Sequence, residues 1–126
     1  ELTEYSAMTL DAFLKHLRAT PAALRFDDTI ELIDALYDFT PTAFRNGEQH
    51  NAAGENNGSC KILAFGQLQG LSKAETLACF GRYYRQAVLG DPNGHGHANI
   101  RIFMRHGWAG VKFEGTPLKP RQAGNP

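Results

Sequence analysis

The run Asn57-Gly58-Ser59-Cys60-Lys61 brings a turn, a hydroxyl, a thiol and an ammonium group together on a short stretch of chain. A Gly-Ser turn entering a helix leaves backbone N–H groups without carbonyl partners, and the helix dipole favours negative charge there. Lys61 would add a full positive charge. The chemistry this suggests is binding of a phosphate or carboxylate. The structural alternative is that Ser59 caps the helix that follows while asparagine side chains fix the loop. The sequence contains no GxxxxGK[ST] pattern, so it does not indicate Walker-type nucleotide chemistry.

Three further groups merit the same test. Cys60 at a helix N-terminus would have its thiolate favoured by the dipole, with His97 as base and Asn99 as orienter, by analogy with cysteine hydrolases. One thiol and one imidazole on separate segments are a weak signal, and buried reduced thiols at Cys60 and Cys79 are the simpler expectation. His95-Gly96-His97, with His50 or His106, could hold a metal only if a third ligand arrived from elsewhere. The spacing has none of the regularity of a zinc motif, and we expect neither metal nor cofactor. In Arg82-Tyr83-Tyr84-Arg85 the two arginines share a helix face, and with Asn99 and Arg101 they could grip an anionic group on a ligand or partner. They could equally anchor the polar loop through its carbonyls. The candidate ligand-binding residues are therefore Asn46, Asn51, Asn57, Gly58, Ser59 and Lys61 in the first loop. On the later segments they are Arg82, Tyr83, His97, Asn99 and Arg101.

These residues need a frame. The chain has 126 residues, enough for one domain with a real core. Its formal net charge is zero, which argues against nucleic acid or an anionic membrane surface as partner. No apolar run approaches the length of a membrane-spanning helix, and the N-terminus lacks the basic and apolar regions of a secretory signal. Leu10, Phe13, Leu14 and Leu17 mark a first helix, with Thr9 as cap and Thr20-Pro21 as stop. Asp27 or Asp28 would cap a second, carrying Ile30, Ile33, Leu36 and Tyr37 and ending at Thr40-Pro41. Cys60, Ile62, Leu63, Phe65 and Leu68 give a third, closed near Gly70.

Ser72-Lys73-Ala74-Glu75 is a capping box. The stripe Leu77, Phe80, Tyr84, Val88 behind it predicts the best-defined helix of the chain. Asn99 would cap a fifth through Ile100, Phe103 and Met104, stopped by Gly107. Val111 and Phe113 alternate with polar neighbours and suggest one short extended segment. Two Gly/Asn-rich loops, Asn46–Ser59 and Gly90–Gly96, connect the helices, and loops of such length usually carry function. Trp108 is expected in or at the edge of the core. The expected fold is all-α: a compact single-domain bundle of about five helices. It would span residues 8–118, with 1–7 as a short N-terminal arm or an added remnant and 119–126 as a flexible tail.

Several blocks, in order, resemble one family. They are Phe39-Thr40-Pro41-Thr42-Ala43-Phe44-Arg45-Asn46-Gly47, then Asn51-Ala52-Ala53-Gly54-Glu55-Asn56-Asn57-Gly58-Ser59-Cys60-Lys61, then Phe80-Gly81-Arg82-Tyr83-Tyr84-Arg85. His97-Ala98-Asn99-Ile100-Arg101 and Gly107-Trp108 follow. Together they resemble the HopJ type III effector family, over roughly Met8 to Phe113. The resemblance implies a bacterial binding or interaction protein, resident in the cytoplasm or delivered into host cells by a type III system. It transfers no catalytic residue. The alternative function is a small cytosolic enzyme or ligand-binding protein that uses a polar cleft around the Asn/Gly loop. The expected partner is a host protein or a small anionic ligand, and a monomer is favoured.

Overall fold

The computed structural model describes residues 8–121. Helix α1 (Leu10–Ala19) opens at Thr9, whose hydroxyl accepts the Ala12 N–H at 3.1 Å, and buries Phe13 and Leu17. A 3-10 turn at Pro21–Ala23 leads to α2 (Phe26–Leu36), where the Asp28 carboxylate accepts the Arg25 N–H at 3.0 Å. The second helix does not run on to Thr40-Pro41. It ends at Leu36, and Tyr37–Phe39 form strand β1.

The polar loop is partly a β-hairpin. Strand β2 (Phe44–Asn46) pairs antiparallel with β3 (Gln49–Asn51) across a turn in which Gly47 takes φ 60°. The other edge of β2 pairs with β4 (Val111–Phe113), and β1 pairs with β5 (Leu118–Pro120). These five strands in two antiparallel sheets overturn the all-α expectation: the fold is α+β. Each strand is three residues long, too short for alternation to register, and two of the three pairings join segments far apart in the chain. Of the expected tail, Lys119 and Pro120 lie in β5, and Arg121 donates to the Asp34 carbonyl and the Asp38 carboxylate. Residues 1–7 and 122–126 fall outside the described part.

Helix α3 (Asn57–Gln69) begins two residues before Ser59 and ends, as expected, at Gly70 in the left-handed region. The Ser72 capping box forms, with the Glu75 N–H on Ser72 Oγ at 3.1 Å and the Ser72 N–H on Glu75 Oε1 at 2.9 Å. Helix α4 stops at Ala78 (Lys73–Ala78), however, and the stripe through Val88 is not one helix. Gly81 takes φ 60° and breaks it, and Tyr83–Val88 resumes as a π-helical turn. The break lets the Gly81 backbone press against the start of α2: a Cβ there would stand within 3.1 Å of the Arg25 carbonyl carbon. Helix α5 (Ala98–His106) starts after His97 and closes at Gly107. Phe13, Phe65, Phe80 and Phe103 are fully or almost fully buried at the centre of the core. Trp108 packs edge-on against Phe103 and donates its indole N–H to the Leu71 carbonyl at 2.8 Å.

Candidate functional site

The inward faces of β2 and β3 carry amides where a core would normally carry aliphatic side chains. Asn46, Asn51 and Asn99 are all buried. Asn51 Oδ1 accepts from Gln49 Nε2 at 3.0 Å, Asn56 Nδ2 at 2.8 Å and Asn99 Nδ2 at 3.0 Å. Asn99 Oδ1 accepts from Asn46 Nδ2 at 3.0 Å and Asn51 Nδ2 at 3.4 Å, and Asn46 Nδ2 also reaches the Asn99 carbonyl at 2.9 Å. Buried polar groups persist when they satisfy one another. This cluster does so with one exception, Asn46 Oδ1, which has no hydrogen-bond partner. The amides tie the hairpin to the first turn of α5 and hold the start of α3 beside it.

A cleft of about 510 Å³ opens where these two helices begin. Asn56, Gly58 and Ser59 line it from α3, and His97, Ala98 and Asn99 from α5. Both cap residues are left-handed, Asn56 at φ 53° and His97 at φ 57°, and neither caps its helix with its side chain. First-turn N–H groups have no carbonyl four residues back, so this rim is rich in donors. The opposite wall is aromatic. Tyr83 meets Phe26 edge-on at 5.0 Å between ring centroids, and its ring lies 5.4 Å from that of His97 at 37°. Phe80 and Gln49 complete the lining. Aromatic walls with a few fixed polar groups are the usual make-up of a small-molecule site.

The structure gathers only part of the expected set. Gly58, Ser59, Tyr83, His97 and Asn99 line the cleft, while Asn46 and Asn51 lie behind it in the amide cluster. Asn57 is exposed in the first turn of α3 and is not part of the lining. Lys61 turns away and pairs with Asp34 at 2.8 Å over the Phe39 ring. Arg101 anchors the second loop, donating to the carbonyls of Gly96 at 2.6 Å and Asp91 at 2.9 Å. Arg85 clasps the Pro21–Ala23 turn through the Leu24 carbonyl at 2.6 Å and the Pro21 carbonyl at 3.1 Å. Neither arginine of the Arg82–Arg85 pair anchors the Asn46–Ser59 loop: Arg85 holds the turn before α2, and Arg101 holds the second loop. Arg82 stays exposed, its guanidinium 5.0 Å over the Tyr83 ring.

Cys60 faces the core and donates to the Thr42 carbonyl, and burial pushes its thiol up to about 11. Burial likewise raises Cys79 to about 12. A thiol so placed is the opposite of an activated nucleophile. His50 faces Glu114 and His106 faces Glu48 at the surface, and no cluster of three or more His, Cys, Asp or Glu side chains among the described residues could hold a metal. Phe26, Gln49, Asn56 and Phe80 were not among the sequence candidates. Only Asn56 carried a signal, as a loop asparagine next to the Gly-Ser turn. The others reach the cleft through tertiary packing.

Among the described residues no helix is long and apolar enough to cross a membrane. Comparison with the curated proteins returns no match. A solved structure, the "crystal structure of unknown function protein VPA0580", superposes with a TM-score of 0.89 at 51% sequence identity, covering 90% of this chain and 95% of that one. The family model described as "HopJ type III effector protein" matches residues 10–118, which takes in the amide cluster, the cleft and the three-stranded sheet and ends at the first residue of β5. The chain therefore belongs to the HopJ type III effector protein family.

Proposed function

We propose that this protein is a binding protein whose working surface is the cleft at the shared N-terminal ends of α3 and α5, and that it holds a small ring-bearing ligand there without covalent chemistry. The observation that carries this reading is the cleft's construction. An aromatic wall of Phe26, Phe80 and Tyr83 faces a polar rim from two helix starts, and a buried amide cluster fixes the two relative to each other. Binding sites work by such preorganisation. The left-handed backbones at Asn56 and His97 support the same reading, since strained conformations concentrate where a surface is shaped for use.

The test is a titration of ¹⁵N-labelled protein with small cyclic fragments. Saturable shifts should cluster at residues 56–59 and 97–100. The variant His97→Gly keeps the left-handed backbone at no steric cost while removing the ring from the rim. It should lose most of the affinity and keep its unfolding midpoint. Fragments that bind on another face, or none that saturate, would refute the proposal.

Family membership supports a second element: delivery by a type III secretion system, with the binding partner inside a host cell. A reporter fusion compared between secretion-competent and secretion-deficient strains tests that element independently of the cleft.

A further inference from the structure

Resting on the cleft reading above, we propose that the ligand is bipartite: a flat ring enters the cleft, and an anionic group, phosphate or carboxylate, lies across an aromatic partition on Arg82 and Arg25. A second recess, also of about 510 Å³, shares two of its lining residues with the cleft, Phe26 and Tyr83. These two side chains form the partition. Its Tyr83 ring has the His97 imidazole at 5.4 Å in the cleft and the Arg82 guanidinium at 5.0 Å. A ring and an anion joined by a short flexible linker can reach from His97 past that pair to Arg82.

The charge of the second recess fits an anion. Arg25, Arg82 and Arg85 line it, against Asp27 as the one acidic lining residue. Arg85 is committed to backbone carbonyls and Arg25 shares its guanidinium with Asp28 at 2.8 Å. Arg82 makes no ion pair among the described residues, and its nearest polar contact is the Tyr83 hydroxyl at 3.4 Å. A guanidinium stacked on an aromatic face keeps its edge N–H groups free for a carboxylate or phosphate. Arg82 therefore stands at the boundary with its charge uncompensated, while Tyr83 holds it in place.

The test compares phenol, inorganic phosphate, 2-phenylethyl phosphate and 3-phenylpropionate on the wild-type chain and on Arg82→Gln, read by amide shifts at Gly58, Ser59 and Ala98 for the cleft and at Arg25 and Arg82 for the recess. 2-Phenylethyl phosphate or 3-phenylpropionate should shift both sets and bind about tenfold tighter than phenol or free phosphate. Arg82→Gln should erase that advantage and leave phenol unchanged. Arg45→Gln, which removes the same charge from a residue lining neither recess, should change nothing. The preference of 2-phenylethyl phosphate over 3-phenylpropionate, or the reverse, assigns the anion. Ring probes that shift the cleft amides with no dependence on Arg82 would overturn the bipartite site alone. Probes that leave the cleft amides unmoved would overturn it together with the cleft reading.

Discussion

Gly81 joins the fold to the cleft, and replacing it gives a sharp test. Its φ of 60° costs an alanine about 1 kcal/mol relative to glycine. The added methyl would also collide with the first residue of α2, where the neighbours are backbone atoms that cannot rotate aside. Backbone displacement of that kind costs about 1–3 kcal/mol. Gly81→Ala should therefore destabilise the protein by about 2–4 kcal/mol. With an unfolding entropy of about 2.1 cal/mol/K per residue, the Tm falls by about 8–15 °C. Gly54→Ala is the control: Gly54 also has positive φ, at 94°, but nothing lies within 4 Å of an added Cβ. It should lose only the conformational part, about 1 kcal/mol. Urea denaturation of the two variants isolates the steric part as their difference. Because Phe26 walls the cleft, Gly81→Ala should also weaken ring binding. Stabilities agreeing within about 0.5 kcal/mol would refute the claim that the helix breaks at Gly81 to let α2 approach.

Other outcomes follow from the same geometry. Asn51→Ala removes the acceptor for three amide donors, at least one of them buried on Asn99, and should cost about 2–4 kcal/mol by urea denaturation. Arg85→Ala strands the Leu24 and Pro21 carbonyls and should cost about 1–3 kcal/mol, whereas exposed Arg82→Ala should stay within about 0.5 kcal/mol of wild type. Cys60 and Cys79 should alkylate at neutral pH no faster than the protein unfolds, which mass spectrometry of labelled protein can follow. Their raised pKa values favour the protonated thiol in the folded state. The stability this gives is intact below the ordinary thiol value of 9.0 and is lost as pH climbs toward about 11 for Cys60 and 12 for Cys79. Denaturation midpoints should thus fall as pH rises from 9.0 toward about 11, and fall less in Cys60→Ala.

Much of the helical frame was legible because its signals are local. Thr9, the Ser72–Glu75 box and the stops at Gly70 and Gly107 act within a turn of the residues they organise. The stripe from Leu77 to Val88 misled because periodicity reports which side chains face inward and is blind to what the backbone must approach. Gly81 interrupts the helix to meet a segment some 55 positions earlier. The strands were hidden for a related reason: Phe44 is the one apolar residue of β2, and its partner Phe113 lies at the other end of the chain. For the cleft, loop asparagines and His97 pointed to the right region. Composition could not separate Asn46 and Asn51, whose amides are engaged with one another, from Asn56, which lines the opening. Nor could it show that Lys61 sits on the far side of its helix.

Glu48 of the hairpin turn faces Arg105 and His106 of α5 at the surface, but the buried part of the joint between hairpin and α5 is made of amides, and that part has nothing to titrate. Acidification that would protonate Asp28 and undo its link to Arg25 leaves those amides untouched. Added salt, which screens exposed charges over about 8–10 Å, has no net charge there to act on. The amide framework behind the mouth of the cleft thus keeps its outline under solution conditions that loosen the protein's periphery.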